Sequence, residues 1–192
     1  MADILVPISP LHSLGERCAA QPESVRLAEE AFTAMADLWV DPGGPGGAAV
    51  AAVIGADLPS TPGTSVNTPS ATVIWLGPQE WLVTTRSQPG VELESELQDA
   101  VRRHGGAATD VSAQRTVFRL SGKYARLVLS KGCSLDLHPS VYPEGTAQQT
   151  MLALAAVLIV AIDDVGTDYR LLVRSSFARY LAEWLLDASA EF

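Results

Sequence analysis

The feature that most constrains this chain is a run of twelve consecutive uncharged apolar residues at positions 151–162 (MLALAAVLIVAI). A transmembrane helix needs about 20 such residues, so the run is too short to cross a bilayer. Its length instead predicts one buried strand, or two, in a sheet that is covered on both faces. Because the run offers no ionisable side chain, we expect it to serve packing. It is the first indication that the protein acts through structural support or association.

The composition of the whole chain agrees with this expectation. The 192 residues allow one domain or two small ones, and 47% of them are hydrophobic while only 18% are charged. A typical globular protein has about 25% charged residues. An Ala-rich composition is one explanation. The one we favour is that another subunit covers part of the surface, because obligate interfaces are more apolar than ordinary surface.

The net charge of −9 argues against nucleic acids and anionic membranes as partners, because an acidic surface repels both. Two basic pairs, Arg102 with Arg103 and Arg174 with Arg179, fall near predicted helix ends, where the helix dipole accounts for them. The first ten residues (MADILVPISP) lack the basic start and long apolar stretch of a signal peptide. We therefore expect a cytoplasmic protein in which Cys18 and Cys133 are reduced.

Alternating strand-like and helix-like segments without a strict βαβ rhythm predict an α+β fold with two small sheet-plus-helix subdomains. We expect an N-terminal subdomain at residues 1–105 and a C-terminal subdomain at 106–192, which are free to interleave. Residues 1–23, with three prolines, should form an extended arm. The strands are predicted at 32–40, 72–76, 81–85, 115–120 and 169–173, and the helices at 48–57, 91–104, 123–131 and 177–188, the last capped by Ser175 or Ser176.

The residues that could carry chemistry do not form a recognised motif. The glycine cluster at 43–47 lacks the Lys-Ser/Thr of a phosphate loop, and none of the three histidines has a second ligand at metal-binding spacing. Asp163 and Asp164 read as acids of a solvated turn. Cys133 follows a predicted helix C-terminus, where the dipole disfavours the thiolate. We therefore predict no catalytic, cofactor-binding or metal-binding residue on this chain.

Several blocks nevertheless resemble a known family. The blocks are SPL at 9–11, LGPQEWL at 76–82, DVS at 110–112 with RT at 115–116, LSG at 120–122, KGCSLDLHP at 131–139, and RSSFARYL at 174–181 through WL at 184–185. In this order they resemble the gamma subunit of heterotetrameric sarcosine oxidase, over residues 9–192. The resemblance implies a fold related to the folate-binding aminomethyltransferase of the glycine cleavage system.

The resemblance also implies a function within a complex with alpha, beta and delta subunits. That complex demethylates sarcosine oxidatively to glycine, with hydrogen peroxide and 5,10-methylenetetrahydrofolate as products. FAD, FMN, NAD and zinc, and the main tetrahydrofolate site, are implied to lie on the other subunits. The gamma subunit is then expected to be non-catalytic and to support assembly of the flavin- and folate-binding subunits.

One departure from the aminomethyltransferase pattern supports a non-catalytic role. That pattern places an acidic pair, which includes the catalytic aspartate, just before a Leu-Ile-Val strand. Here Leu158-Ile159-Val160 is preceded by Ala156 and Val157, and Asp163-Asp164 follows the strand instead. Hydrocarbon side chains cannot orient or deprotonate a folate amine. The chain is therefore expected to keep the fold and lose the chemistry.

Two functions remain open from the sequence. The preferred one is a subunit that packs against a larger flavoprotein, with interface residues among the large apolar side chains near loops: Trp39, Trp75, Trp81 and Tyr142. Core packing is an equally good explanation of each one singly. The alternative is an independent folate-binding, aminomethyltransferase-like protein, or a relative of the folate-dependent iron–sulfur maintenance proteins, whose motif shares only Lys131-Gly132-Cys133.

Overall fold

The computed structural model describes residues 6–192, which form two five-stranded antiparallel sheets. The first sheet has the strand order β1-β7-β10-β9-β8, and the second has the order β3-β4-β5-β2-β6. The strands are β1 (Arg26–Glu29), β2 (Ala34–Trp39), β3 (Ser65–Asn67), β4 (Thr72–Gly77), β5 (Glu80–Thr85), β6 (Ala107–Asp110), β7 (Arg115–Ser121), β8 (Ala147–Leu152), β9 (Ala155–Ala161) and β10 (Asp168–Arg174). The helices are α1 (Gly15–Ala19), α2 (Pro45–Ile54), α3 (Gly90–Val101), α4 (Ala125–Ser130) and α5 (Ala178–Ala188).

The apolar run forms the end of β8, a tight turn and all of β9, so the two-strand prediction is confirmed. Alternate side chains of β9 enter different cores, because successive residues of a strand point to opposite faces. Ile159 packs with the helices that cover the first sheet, whereas Leu158 and Val160 pack against the second sheet. Both faces of β9 are therefore covered from Val157 onward, which explains why the sequence there does not alternate with polar residues.

Three cores define four layers, in the order helices, sheet, sheet, helices. Side chains of α4 and α5 cover the outer face of the first sheet, and those of α2 and α3 cover the outer face of the second. The central core joins the two sheets through Met35, Ile74 and Leu82 on one side and Leu158 and Leu172 on the other. The α+β prediction is confirmed, with the sheets stacked face to face.

The sheets exchange strands across the predicted boundary at residue 105. β1 pairs with β7 in the first sheet, while β6 pairs with β2 in the second. At one corner the sheets are also joined directly, where the Ser65 N–H donates to the Gly145 carbonyl at 2.6 Å. The division into two subdomains at residue 105 stays a prediction. Each sheet contains strands from both sides of that residue.

Several local predictions are wrong. Within residues 6–23, the expected extended arm contains a 3-10 turn at His12–Leu14 followed by α1, because Leu11 and Leu14 are buried in the first core. The first five residues of that arm lie outside the described residues. Neither Ser175 nor Ser176 caps α5, which starts at Ala178 after another 3-10 turn. No helix within residues 6–192 is long and apolar enough to cross a membrane.

Candidate functional site

Two of the four predicted interface residues are core residues. Trp81 is fully buried on the helix-covered face of β5, and its indole N–H donates to the Pro59 carbonyl at 2.8 Å. Tyr142 is 2% exposed and donates its hydroxyl proton to the Ile159 carbonyl at 2.8 Å. Each polar group has found a partner inside the fold, as buried indoles and phenols require. Neither side chain is available to a partner, so these two predictions are corrected.

The other two predicted interface residues are accessible to different degrees. Trp39 ends β2 and is 50% exposed, on the face of the second sheet opposite its buried neighbour Leu38. Trp75 is half-buried and packs on the outer core of the same sheet, directly across from Trp81. Trp39 is therefore the better interface candidate of the two, and both stay predictions.

The structure adds an exposed apolar cluster that the sequence reading missed. Leu154, at the tip of the β8–β9 turn, is 74% exposed, and its backbone N–H donates to the Tyr180 hydroxyl at 3.2 Å. The Tyr180 ring meets Phe177 edge-on at 6.5 Å, and Phe177 is also exposed. We call Leu154, Phe177 and Tyr180 the hairpin patch. Its sequence signal was the apolar run itself, which continues through a turn where polar residues are usual.

Backbone strain marks one partly buried position, Ala153, and one exposed position, Phe32. Ala153, next to Leu154, has φ 51°, and Phe32 has φ 56° while its ring is 64% exposed. Residues other than glycine adopt this left-handed region only at an energetic cost, about 1 kcal/mol or more. At Phe32 the exposed ring does not offset this cost by packing in a core.

A cavity of about 330 Å³ opens between the two sheets. A buried carboxylate, Glu30, lies there with its Oε2 2.8 Å from the Nε of Arg170, and the Arg170 Nη1 donates to the Thr72 hydroxyl at 3.2 Å. Thr72 donates in turn to Asn67 at 2.7 Å. This network links β10 of the first sheet to β4 and β3 of the second, so its evident role is to tie the sheets together.

The residues that sequence analysis weighed for chemistry are dispersed. The Asp163 carboxylate accepts hydrogen bonds from the Gly166 and Thr167 amides and from the Thr167 hydroxyl. Burial works to raise the pKa of Asp163, but these hydrogen bonds outweigh it and lower that pKa below its ordinary value. Asp163 thus organises the β9–β10 turn. Asp164 points elsewhere and accepts from the Glu144 amide at 2.9 Å.

The two cysteines are not joined in a disulfide. Cys133 pairs with Leu152 in an isolated bridge beside the end of β8. Partial burial, followed by the negative charge of Glu29, raises the pKa of the Cys18 thiol, so this thiol is a poor nucleophile at neutral pH. In the part of the chain that the structure describes, no three His, Cys, Asp or Glu side chains converge as a metal site would require.

Comparison with known proteins identifies what this arrangement is similar to. A family model described as the sarcosine oxidase, gamma subunit family matches residues 40–191. Sarcosine oxidase subunit gamma of Corynebacterium sp. strain U-96 is 39% identical over 174 residues, which cover 90% of this chain and 83% of that protein. The subunit gamma of Corynebacterium sp. strain P-1 is 37% identical over 187 residues, covering 96% of this chain and 90% of that protein.

Two solved structures extend the comparison to the fold. A chain of heterotetrameric sarcosine oxidase from Corynebacterium sp. U-96, in complex with pyrrole 2-carboxylate, superposes with a TM-score of 0.87 and 37% identity, over 97% of this chain and 96% of that chain. Glycine cleavage system aminomethyltransferase T from Bartonella henselae superposes with a TM-score of 0.69 at 14% identity, over 92% of this chain and 56% of that chain. The second match shows a shared fold alone.

Proposed function

The chain belongs to the sarcosine oxidase gamma subunit family, and we propose that its contribution to the oxidase is structural rather than chemical. In this proposal it joins alpha, beta and delta subunits in the cytoplasm and supports assembly of the flavin- and folate-binding chains. The complex oxidises sarcosine to glycine, with hydrogen peroxide and 5,10-methylenetetrahydrofolate as products. FAD, FMN, NAD and zinc are held by the other subunits.

The observation that carries this proposal is the extent of the structural match. Nearly all of this chain superposes on nearly all of one chain of a four-subunit oxidase, at 37% identity. A match that covers 97% of this chain and 96% of that chain supports the same role in the same kind of assembly. The exposed Trp39 and the hairpin patch supply apolar, aromatic surface of the kind that interfaces use.

The position where an aminomethyltransferase-like enzyme would need its carboxylate supports the non-catalytic part of the proposal. Ala156 and Val157 occupy this position at the start of β9. Val157 packs in the first core, and Ala156 is exposed but carries only a methyl group. No proton can be exchanged by either side chain. This favours the subunit role over an independent folate-processing enzyme.

Co-expression tests the proposal. Expressed alone, the chain should aggregate or dissolve poorly, because surface meant for partners is left in water. Expressed with the alpha, beta and delta subunits of its host, it should become soluble and co-purify with the flavin-coloured chains in equal stoichiometry, measured by intact mass and visible absorbance. The proposal would be contradicted by a well-behaved monomer that binds folate at micromolar affinity. In that case a pull-down with this chain would also recover no flavin-coloured partner.

A further inference from the structure

Two pairs of arginines face each other across the same two strands of the first sheet. Arg119 on β7 lies directly opposite Arg170 on β10, and Arg115 lies directly opposite Arg174. Side chains four residues apart on a strand share a face, so both pairs lie on the face that also carries Val117 and Leu172 toward the second sheet. Like charges placed directly opposite each other are destabilising. Each pair therefore calls for compensating negative charge.

The first pair has that compensation within the chain. The Arg119 Nε donates to the Asp168 carboxylate at 2.9 Å, and the Arg170 Nε lies 2.8 Å from Glu30. Two carboxylates thus neutralise two guanidinium groups. The first arginine pair is therefore neutralised by carboxylates of this same chain.

The second pair lacks it. Among residues 6–192, no carboxylate oxygen lies within 4 Å of a guanidinium nitrogen of Arg115 or Arg174. This occurs in a chain where 22 acidic residues outnumber 13 basic ones. Burial, and then the positive charge of Arg174, lower the pKa of Arg115, and the negative charge of Asp37 opposes them without forming an ion pair within 4 Å. Arg115 is partly buried and Arg174 is exposed, and neither forms an ion pair with a carboxylate among residues 6–192.

The surroundings of the second pair fit an acidic side chain. Arg115 and Arg174 line a cavity of about 110 Å³ together with Gln149, Thr150 and Ala156. Small-molecule sites usually measure about 300–1,000 Å³, so this one is too small for a cofactor or a nucleotide. It has room for a carboxylate and its stem. Paired guanidinium forks match a carboxylate in geometry as well as charge, and Gln149 and Thr150 offer further hydrogen-bond donors.

The helix dipole does not account for these arginines. Arg174 ends β10 and precedes α5, so it lies at the positive end of that helix, where a cation is disfavoured. Arg179, which the sequence grouped with it, forms an i,i+4 ion pair with Glu183. Arg174 therefore keeps an unexplained positive charge.

We propose that Arg115 and Arg174 bind an aspartate or glutamate side chain of another subunit in the assembled complex. This proposal rests on the proposed function and adds the chemistry of one contact. The carboxylate enters the 110 Å³ cavity and completes the second arginine pair as Asp168 and Glu30 complete the first. Charge complementarity is the argument for this occupant.

The test compares Arg115→Gln/Arg174→Gln with Arg102→Gln/Arg103→Gln, which removes the same charge from an exposed pair at the end of α3. Each variant is co-expressed with the other subunits, and the dissociation constant of the chain from the complex is measured by dilution and mass photometry. We expect the first variant to weaken assembly about 30-fold or more and the control less than about threefold. Arg174→Glu, at an exposed position, should weaken it at least as much.

Stability separates a contact from a fold defect. Removing two facing like charges should leave the urea midpoint of the variant chain unchanged or raise it, measured at a protein concentration low enough to keep the isolated chain dissolved, whereas a purely structural role would lower it. If the unsubstituted chain co-purifies and Arg115→Gln/Arg174→Gln co-purifies equally well, this inference is overturned while the proposed function stands. If the unsubstituted chain does not co-purify at all, both fall.

Discussion

Replacing Trp81 by alanine should lower the free energy of unfolding by about 3–5 kcal/mol and remove most of the soluble protein. The indole is fully buried among the side chains that join the second sheet to α2 and α3. Truncation leaves a cavity there and strips the Pro59 carbonyl of its 2.8 Å hydrogen bond. Trp81→Phe keeps most of the volume, so its cost should fall to about 1–3 kcal/mol, chiefly from the unpaired carbonyl. Urea unfolding at low protein concentration measures both.

Trp39→Ala is the matched control, because it removes the same side chain from a half-exposed position. Its cost in unfolding free energy should stay below about 1 kcal/mol. If Trp39 contacts a partner, the same substitution should weaken assembly about 30-fold, as aromatic anchors at interfaces do. If Trp81→Ala and Trp39→Ala lowered the free energy of unfolding equally, the different burial of the two tryptophans would not determine their contribution to stability.

Breaking the Glu30–Arg170 ion pair should produce the second large effect. Arg170→Met leaves the buried Glu30 carboxylate without a cation and is expected to cost about 3 kcal/mol. The substitution also removes the hydrogen bond from Arg170 to Thr72, which joins the two sheets. The paired substitution Glu30→Leu/Arg170→Met should recover most of the loss, because no buried charge remains.

The double-mutant cycle built from Glu30→Leu, Arg170→Met and their combination isolates this coupling. Arg26→Met removes an arginine whose ion pair with Glu23 is exposed, and should change the unfolding free energy by less than about 0.5 kcal/mol. Additive costs in the cycle, with no recovery in the double variant, would mean that Glu30 and Arg170 are not energetically coupled.

Elements with a strong local signal could be predicted from the sequence. The β4–β5 hairpin follows from two short apolar strands around Gly77-Pro78, and α3 from Leu93, Leu97 and Val101 at helical spacing. The apolar run predicted a doubly covered sheet, and β9 is one. In each case neighbouring residues carry the information.

Features that depend on distant pairing could not be predicted. β1 and β6 are four residues long, and β1 pairs with β7, about a hundred positions away along the chain. No periodicity in four residues specifies such a partner, so the exchange of strands between the sheets was left open. The prediction of an extended arm was wrong for a related reason. Leu11 and Leu14 pack into a core that is formed mostly by later parts of the chain.

The candidate surface shows the same limit. Composition indicates that aromatic residues mark interfaces, but the face of the strand decides which of them are exposed. Trp81 and Tyr142 point into cores, while Leu154 and Phe177 do not. The two arginine pairs needed strand register to be recognised at all, because Arg115 and Arg174 are neighbours only across β7 and β10.

The central claim, that this subunit acts through contact and not through chemistry, is tested most directly by turnover per assembled complex. Cys133 is the candidate nucleophile to test, because its partly accessible thiol ends the short Lys131-Gly132-Cys133 segment. In the complex carrying Cys133→Ala, we predict that kcat for sarcosine oxidation, normalised to assembled complex, stays within about twofold of the unsubstituted enzyme, which is less than 0.5 kcal/mol of transition-state stabilisation. A loss of more than about a hundredfold with assembly intact, equivalent to about 2.7 kcal/mol, would contradict the claim.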